Sequence, residues 1–194
     1  MIKTATLKYS GLNQLLLNNP QTVDPLNKYT KLISVINKKR VRTEEDINHR
    51  YELEVASKIY WSDENHVQVP TSWVVASVCK VSNLLAKIAK ASIRSCLFPT
   101  KDYVKLYYDG HESVKTKDDV IYNESPRWLF PTKQGQNKIM KAFPMFDNWS
   151  FEVDVEYDDS ILPECELIRI AEYAAKYNGF GDFRPTYGRA VLEV

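Results

Sequence analysis

The sequence is poor in the residue types on which disulfide-rich and metal-binding proteins depend. Its 194 residues include three cysteines and three histidines. The cysteines, Cys79, Cys96 and Cys165, are widely spaced and form no C-x-x-C pair. Such an odd, scattered set argues against a disulfide scaffold and predicts reduced thiols in a cytoplasmic chain. The histidines also lie far apart, without a second histidine or cysteine at ligand spacing, so we expect no metal site and no cofactor.

The sequence also lacks an excess of charge of either sign and any long hydrophobic run. Its 26 lysines and arginines face 25 acidic residues, which gives a formal net charge of +1. No global field therefore draws it to a polyanion, and any such site must be a local patch. No run reaches the roughly 18 apolar residues of a membrane span, and the start, MIKTATLKYSG, lacks a signal-peptide core. We expect the protein to stay in the cytoplasm, away from membranes.

Catalytic and nucleotide-binding motifs are absent too. The sequence contains no G-x-x-x-x-G-K-[ST] and no nucleophile elbow. Gly179 and Gly181 begin as G-x-G, but Arg184 occupies the third glycine position. This loop also runs from a helix to a strand, whereas a dinucleotide-binding turn runs from a strand to a helix. We therefore predict a protein without enzymatic activity.

The segments with clear periodicity define the fold class. Alternating residues predict strands at the N-terminus, over 149–157 and over 190–194, and three- and four-residue spacing predicts helices over 72–97 and from Pro163 to Tyr177. We also predict that residues 138–143 form a hairpin with 149–157. The order β-α-β-β-α-β predicts an α+β, ferredoxin-like antiparallel sheet with two packed helices and an N-terminal helical insertion. We expect one domain over 1–194, with insertions at about 12–57 and 110–127.

The C-terminal segment from Asn178 carries half of the glycines, together with arginines and aromatic rings. Cations that contact phosphates and rings that stack on bases are the combination that single-stranded nucleic acids require. The candidate nucleic-acid-binding residues are Gly179, Gly181, Phe183, Arg184, Tyr187, Gly188 and Arg189, with Lys133, Lys138 and Lys141 in or near the preceding predicted hairpin.

Simpler interpretations compete with this one. Gly179 can end the helix, Arg184 can bond to carbonyls and to Asp182, and the rings can pack in the core. The outward face of the strand over 149–157 is acidic, and Lys138 and Lys141 can neutralise it across the predicted hairpin. The basic run from Lys38 to Arg42 is more typical of a solvated helix end than of a phosphate site.

Several segments together resemble a family of small tailed-phage proteins: HRYELEVASKIYWSDENHVQVPTSWVVASV, WLFP, KIMKAFP and the ending GFGDFRPTYGRAVLEV. That family ends in G-x-G-x-[FW]-R-P-x-x-G-R-F. Here Ala190 replaces the final phenylalanine, and the insertion over 20–42 is longer. The ending in turn resembles the glycine-rich loop of the RAMP superfamily, the RNA-binding proteins of CRISPR effector complexes. The resemblance implies a RAMP-like fold and RNA binding, and it carries over no catalytic residue.

Two hypotheses result. The first is a non-catalytic phage accessory protein that binds RNA or single-stranded nucleic acid through the glycine-rich loop. The alternative is a protein-interaction module that inhibits a host defence complex of the CRISPR type, using the acidic strand face or the N-terminal insertion.

Overall fold

The computed structural model describes residues 1–124 and 127–193. Ser125 and Pro126, in the predicted 110–127 insertion, and Val194, at the end of the predicted last strand, lie outside the described residues. The strands are β1 (Ile2–Gly11), β2 (Leu15–Leu16), β3 (Gln68–Pro70), β4 (Leu97–Pro99), β5 (Tyr103–Lys105), β6 (Arg127–Gln134), β7 (Asn137–Phe146), β8 (Ser150–Asp158) and β9 (Ala190–Glu193). The helices are α1 (Lys28–Lys38), α2 (Glu44–Lys58), α3 (Ser72–Ala86), α4 (Lys90–Cys96), α5 (Lys117–Asp119) and α6 (Glu164–Tyr177).

The chain divides into two compact units. Unit 1 consists of Met1–Leu15, Val67–Asp109 and Asp147–Val194, and unit 2 of Leu16–His66 and Gly110–Phe146. The single-domain organisation stays a prediction. No helix in the described part of the chain has the length and apolar character needed to cross a membrane.

Unit 1 contains the predicted ferredoxin-like sheet. Its four strands lie in the order β4-β8-β1-β9, and each neighbouring pair is antiparallel. In chain order the elements are β1, α3, β4, β8, α6 and β9, so the predicted β-α-β-β-α-β pattern is confirmed. The two longer helices contact each other, and the amide of Asn178 donates to Ser77 Oγ at 2.8 Å where they meet.

Strand alternation separates the two faces of this sheet. On β8, the side chains of Phe151, Val153, Val155 and Tyr157 are buried, and the acids between them are exposed. Leu7 and Tyr9 continue the buried face on β1. Successive side chains of a strand point to opposite faces of the sheet. The alternation of apolar and acidic residues on β8 therefore gives one face packed in the core and one exposed acidic face.

The structure corrects two predicted elements. The helix predicted over 72–97 is broken: α3 ends at Lys87, which has a left-handed φ of 54°, and α4 follows. The hairpin of 138–143 with 149–157 is wrong, because β7 pairs with β6 while β8 pairs with β1 and β4. Lys138 and Lys141 are therefore not cross-strand neighbours of the acids on β8.

Unit 2 places helices α1 and α2 with the β6–β7 hairpin. Helix α2 begins at the N-cap Thr43, which forms a reciprocal capping box with Asp46. Its C-terminal half contacts β7 through charged groups: the Ala142 amide donates to Glu54 Oε2 at 2.7 Å, and Lys58 Nζ donates to the Ala142 carbonyl. Within the predicted insertion over 110–127, Val120 and Ile121 are buried.

Candidate nucleic-acid interface

The base of the glycine-rich loop is a tightly closed backbone structure. Gly179 follows α6 with a φ of 70°, the left-handed conformation that commonly ends helices. The Phe180 amide donates to the Gly188 carbonyl at 2.8 Å and so joins the two ends of the loop. A Cβ on Gly188 would lie 1.9 Å from the Phe180 carbonyl oxygen, and one on Gly179 would lie 2.6 Å from the Gly188 oxygen. These two glycines therefore allow the loop to close on itself, and not a ligand to approach.

Asn13 holds this base against the end of β1. Its side-chain oxygen accepts from the Arg189 amide at 2.9 Å, and its side-chain nitrogen donates to the Thr186 carbonyl at 2.8 Å. Its own carbonyl accepts from Trp149 Nε1 at 2.7 Å. An isolated asparagine after a strand carries no sequence signal of this role, so sequence analysis missed it.

Phe180 belongs to the core and is not available for base stacking. It is 1% exposed, and its ring centre lies 4.8 Å from that of Tyr9 and 5.2 Å from that of Phe151. Trp149 completes the cluster. Aromatic packing of this kind stabilises a core beyond area burial alone. Phe180 therefore fits the alternative interpretation, in which the aromatic rings of the loop pack in the core.

The two arginines of the loop have different environments. Arg189 is half-buried, and its Nε donates to the Lys176 carbonyl at 2.8 Å, so it satisfies an acceptor at the C-terminal end of α6. Arg184 is exposed and has no hydrogen-bond or ion-pair partner among the residues whose side chains are described. The predicted bond from Arg184 to Asp182 is therefore not observed there.

The outer part of the loop surrounds Arg184. Pro185 and Thr186 are exposed, whereas Phe183 and Tyr187 are half-buried. The Tyr187 amide donates to the Phe183 carbonyl at 3.3 Å, which folds the tip into a turn. The tip thus combines one free guanidinium with two partly accessible rings, and Gly181 enters it with a φ of 70°.

The predicted lysines lie in unit 2, on the β6–β7 hairpin. Lys133 and Lys138 face each other across the strands next to the turn at Gly135, and both are exposed. Like charges in directly opposed positions destabilise a strand pair, so an anion bound here relieves a built-in repulsion. Lys141 is half-buried and opposes Phe130. Lys133 and Lys138 are therefore neighbours at the hairpin tip, whereas Lys141 lies further along β7.

The open face of the unit 1 sheet is acidic. Glu152, Asp154 and Glu156 on β8 are exposed on it, and Thr6 donates to Asp154 Oδ1 at 2.7 Å. Lys8 pairs with Glu193 at 2.6 Å. Their hydrogen bond holds the pKa of Glu193 below its ordinary value and raises the pKa of Lys8. The exposed carboxylates make this face of the sheet unfavourable for binding phosphates.

No constellation for catalysis is found in the described part of the chain. No group of three histidine, cysteine or acidic side chains there is placed to hold a metal ion. His49 lies 3.4 Å from Glu52, and His66 lies 4.0 Å from Glu64, both as local pairs. Burial raises the pKa of the Cys79 and Cys96 thiols, which disfavours the nucleophilic thiolate.

Comparisons with known proteins add a fold relationship. No protein-family model matches the chain, and no curated protein matches it. A chain of the cryo-EM structure of the Type III-B Cmr-beta bound to cognate target RNA matches with a TM-score of 0.52 at 9% identity. That match covers 100% of this chain and 59% of the other. The fold is RAMP-like.

A second solved structure also matches over the whole length of this chain. The crystal structure of Cmr6 from Pyrococcus furiosus matches at 11% identity with a TM-score of 0.37, covering 100% of this chain and 99% of the other. The RAMP-like fold implied by the sequence resemblance is confirmed by the Cmr-beta match. The phage origin and the family's C-terminal motif stay predictions.

Proposed function

We propose that this protein binds single-stranded RNA, without cleaving it, through the tip of the C-terminal loop (residues 181–187) in unit 1. The tip of the β6–β7 hairpin in unit 2, with Lys133 and Lys138, is proposed as a phosphate contact of its own. The observation that carries the proposal is Arg184, an exposed guanidinium at the tip of a loop whose base is locked. Guanidinium groups bind phosphate oxygens in a bidentate manner, and the adjacent Phe183 and Tyr187 offer ring surface for bases. The RAMP-like fold and the RNA bound in the Cmr-beta structure support this assignment.

Eight of the ten predicted site residues then have a part in binding, whereas Gly181 only shapes the loop tip and Lys141 lies away from the hairpin tip. Arg184, Lys133 and Lys138 contact phosphates, and Phe183 and Tyr187 stack on bases. Gly179, Gly188 and Arg189 act indirectly, because they fix the base from which the tip projects. In this proposal the protein is a phage accessory that works in the cytoplasm of the infected cell, as its resemblance to tailed-phage proteins implies.

Fluorescence anisotropy with a labelled single-stranded RNA tests this proposal. Arg184→Ala removes a charge-assisted contact, so we expect roughly three- to tenfold weaker binding. We also expect the slope of log K against log salt to become shallower by about 0.7. Lys80→Ala is the matched control, because it removes an exposed cation from α3 in the same unit. Equal affinities and salt slopes for the two variants would show that the loop tip is not the site.

Arg189→Ala needs a separate interpretation. Because Arg189 donates to the Lys176 carbonyl, its loss should lower the stability of unit 1 by about 1 kcal/mol as well as affecting binding. Only a variant that unfolds at the same denaturant concentration as the native protein reports on RNA contact alone. Arg184, which is exposed, meets that condition.

The acidic sheet face favours a second candidate function. Four exposed carboxylates, on Glu152, Asp154, Glu156 and Glu193, share the face of the sheet opposite its buried residues. Such a face is complementary to a basic protein surface, including one that normally binds RNA. This candidate is the inhibitory module of a host defence complex. A nuclease-resistant complex with a purified CRISPR effector that is lost in Glu152→Lys plus Glu156→Lys would favour it over RNA binding.

A further inference from the structure

Unit 2 contains a cleft whose lining residues all belong to that unit. It lies between α1, α2 and β7 and has a volume of about 600 Å³. Small-molecule sites in proteins usually measure about 300–1,000 Å³. Buried residues of α2, among them Ser57 and Lys58, form its floor, and exposed residues at the end of α1 form its rim. The cleft therefore has the size and depth of a ligand site.

The lining of this cleft is strongly cationic. Its five basic residues are Lys38, Arg42, Arg50, Lys58 and Lys141, and Glu54 is the single carboxylate among the described lining residues. Five cations against one anion leave a local excess of four positive charges in a chain whose formal net charge is +1. Glu54 already accepts from the Ala142 amide at 2.7 Å and lies 3.7 Å from Arg50 Nη1. The acid thus belongs to the contact between α2 and β7 and leaves the excess charge in place.

Backbone carbonyls hold three of these cations in position. Arg50 Nη2 donates to the Met140 carbonyl at 3.0 Å, and Lys58 Nζ to the Ala142 carbonyl. Arg42 Nη2 donates to the Asn37 carbonyl at 2.6 Å. Bonds of this kind fix the side chains before a ligand arrives, so less conformational entropy is lost on binding. The cations are arranged as a preformed anion site.

The uncharged part of the lining indicates the ligand class. Thr22, Thr30, Ser34 and Asn37 contribute hydroxyl and amide groups, and no aromatic ring occurs among the described lining residues. The cleft thus offers hydrogen bonds to sugar hydroxyls but no surface on which a base can stack. We propose that this cleft binds a sugar phosphate group through its cations and hydroxyls. That group is either a free phosphorylated sugar or the ribose-phosphate backbone of RNA.

The basic run near residue 40 gains a role from this geometry. From the sequence, Lys38 to Arg42 was interpreted as a solvated helix end. In the structure, Lys38 and Arg42 line the same cleft as Lys141, about a hundred residues further along the chain. Lys39 instead pairs with Asp46 at 2.5 Å. Only two members of the run therefore contribute to the site.

Isothermal titration with ribose 5-phosphate, and with ribose as the uncharged reference, tests the inference. The informative variant is Lys38→Gln plus Lys141→Gln, because neither lysine takes part in the hydrogen bonds of Glu54 and Lys58 that join α2 to β7. We expect ribose 5-phosphate to bind the native protein and ribose to give no heat. The double variant should bind about tenfold or more weakly, as the loss of a charge-assisted contact implies. Lys31→Gln plus Lys115→Gln is the matched control: it removes the same charge from exposed positions of unit 2 that lie outside the cleft and have no proposed role in binding.

The same variants titrated with a single-stranded RNA separate the two sources of the group. If the cleft variant loses affinity for both ribose 5-phosphate and RNA, the cleft binds the RNA backbone. If it loses affinity for ribose 5-phosphate alone, the cleft is a separate small-molecule site. Equal affinity of the cleft variant and the Lys31/Lys115 control for ribose 5-phosphate, or no binding to the native protein, would overturn the inference. The outcome of these titrations does not depend on the outcome of the Arg184→Ala experiment. Either proposal can therefore be rejected without the other.

Discussion

At the residue scale, the glycines of the C-terminal loop show how a binding motif and a structural motif can share one composition. Gly179 and Gly188 are required because the loop backbone crosses itself at close range. The side chains of Arg189 and Phe180 also stabilise the closed loop. Arg189 donates to the Lys176 carbonyl, and the Phe180 ring packs against Tyr9. Of the residues that suggested ligand binding, Arg184 is the one left exposed without a described partner.

The first prediction concerns Gly188. Gly188→Ala places a Cβ 1.9 Å from the Phe180 carbonyl oxygen at a φ of 72°, so both a clash and backbone strain oppose it. We expect a loss of roughly 3 kcal/mol or more in the free energy of unfolding, measured by urea denaturation with far-UV circular dichroism. Gly135→Ala is the control, because Gly135 also has a positive φ, of 62°, but nothing within 4 Å of the added Cβ. It should cost about 1–2 kcal/mol. Equal costs would show that the loop base can open.

A second prediction concerns Tyr9, whose hydroxyl is buried without a hydrogen-bond partner among the described residues. This burial also raises the pKa of Tyr9. Because a buried unsatisfied hydroxyl costs free energy, Tyr9→Phe should leave stability unchanged or increase it by about 1 kcal/mol. Trp149→Phe should instead cost about 2 kcal/mol, since it removes the bond to the Asn13 carbonyl and opens a space. Urea unfolding curves of both variants measure the difference. A clear loss of stability in Tyr9→Phe would mean that the hydroxyl is bonded.

At the element scale, prediction from sequence succeeded where one periodicity acts along a whole segment. On β8 every second side chain is buried in the core, and on α6 the buried side chains recur every three or four residues. Both elements are confirmed. The pairing of β7 was wrong because alternation defines a strand's two faces but not its partner. Proximity in sequence favoured β8, whereas β7 pairs with β6. The break at Lys87 lacked a proline or glycine signal, so the pattern predicted one continuous helix.

The end of β8 gives an element-scale prediction about pH. Asp158 there accepts from Ser160 Oγ at 2.7 Å and pairs with the Met1 amino group, and these bonds lower its pKa to about 2. Since the folded-state pKa lies below the ordinary value of about 4, this contribution to stability is complete above pH 4. It is lost as the pH falls towards 2. Ser160→Ala should raise the pKa of Asp158 towards 4, as followed by carboxyl NMR titration.

The matched control for this titration is Ser113→Ala. Ser113 is an exposed serine in unit 2 whose hydroxyl donates to the Gly110 carbonyl at 2.8 Å. The Asp158 pKa should not change in this variant. An unchanged pKa in Ser160→Ala would show that the Met1 amino group and the backbone amide of residue 160, which donates to Asp158 Oδ1 at 3.0 Å, suffice to hold the carboxylate ionised.

At the scale of the whole molecule, charge is segregated although the totals nearly cancel. The open face of the unit 1 sheet carries carboxylates, whereas the cleft and the hairpin tip of unit 2 carry cations. The composition gives only the formal net charge, +1. That value excludes a strong electrostatic field around the whole molecule and nothing more. The cationic cleft was beyond sequence analysis for the same reason: its members, such as Lys38 and Lys141, come from distant segments, and no local pattern connects them.

This segregation predicts how the acidic face affects RNA binding. Glu152→Gln plus Glu156→Gln removes two charges that repel an incoming phosphate backbone but touch none of the proposed contacts. We expect RNA affinity to rise several-fold at low salt, mainly through faster association measured by stopped flow. The gain should vanish near 1 M salt, where the screening length falls to about 3 Å. Glu64→Gln plus Glu112→Gln is the control, since it makes the same change in net charge at exposed positions of unit 2. If both variants gained equally, net charge alone would explain the effect. If the face variant bound RNA more weakly, the acidic face would be part of the RNA site and the loop-tip assignment would be wrong.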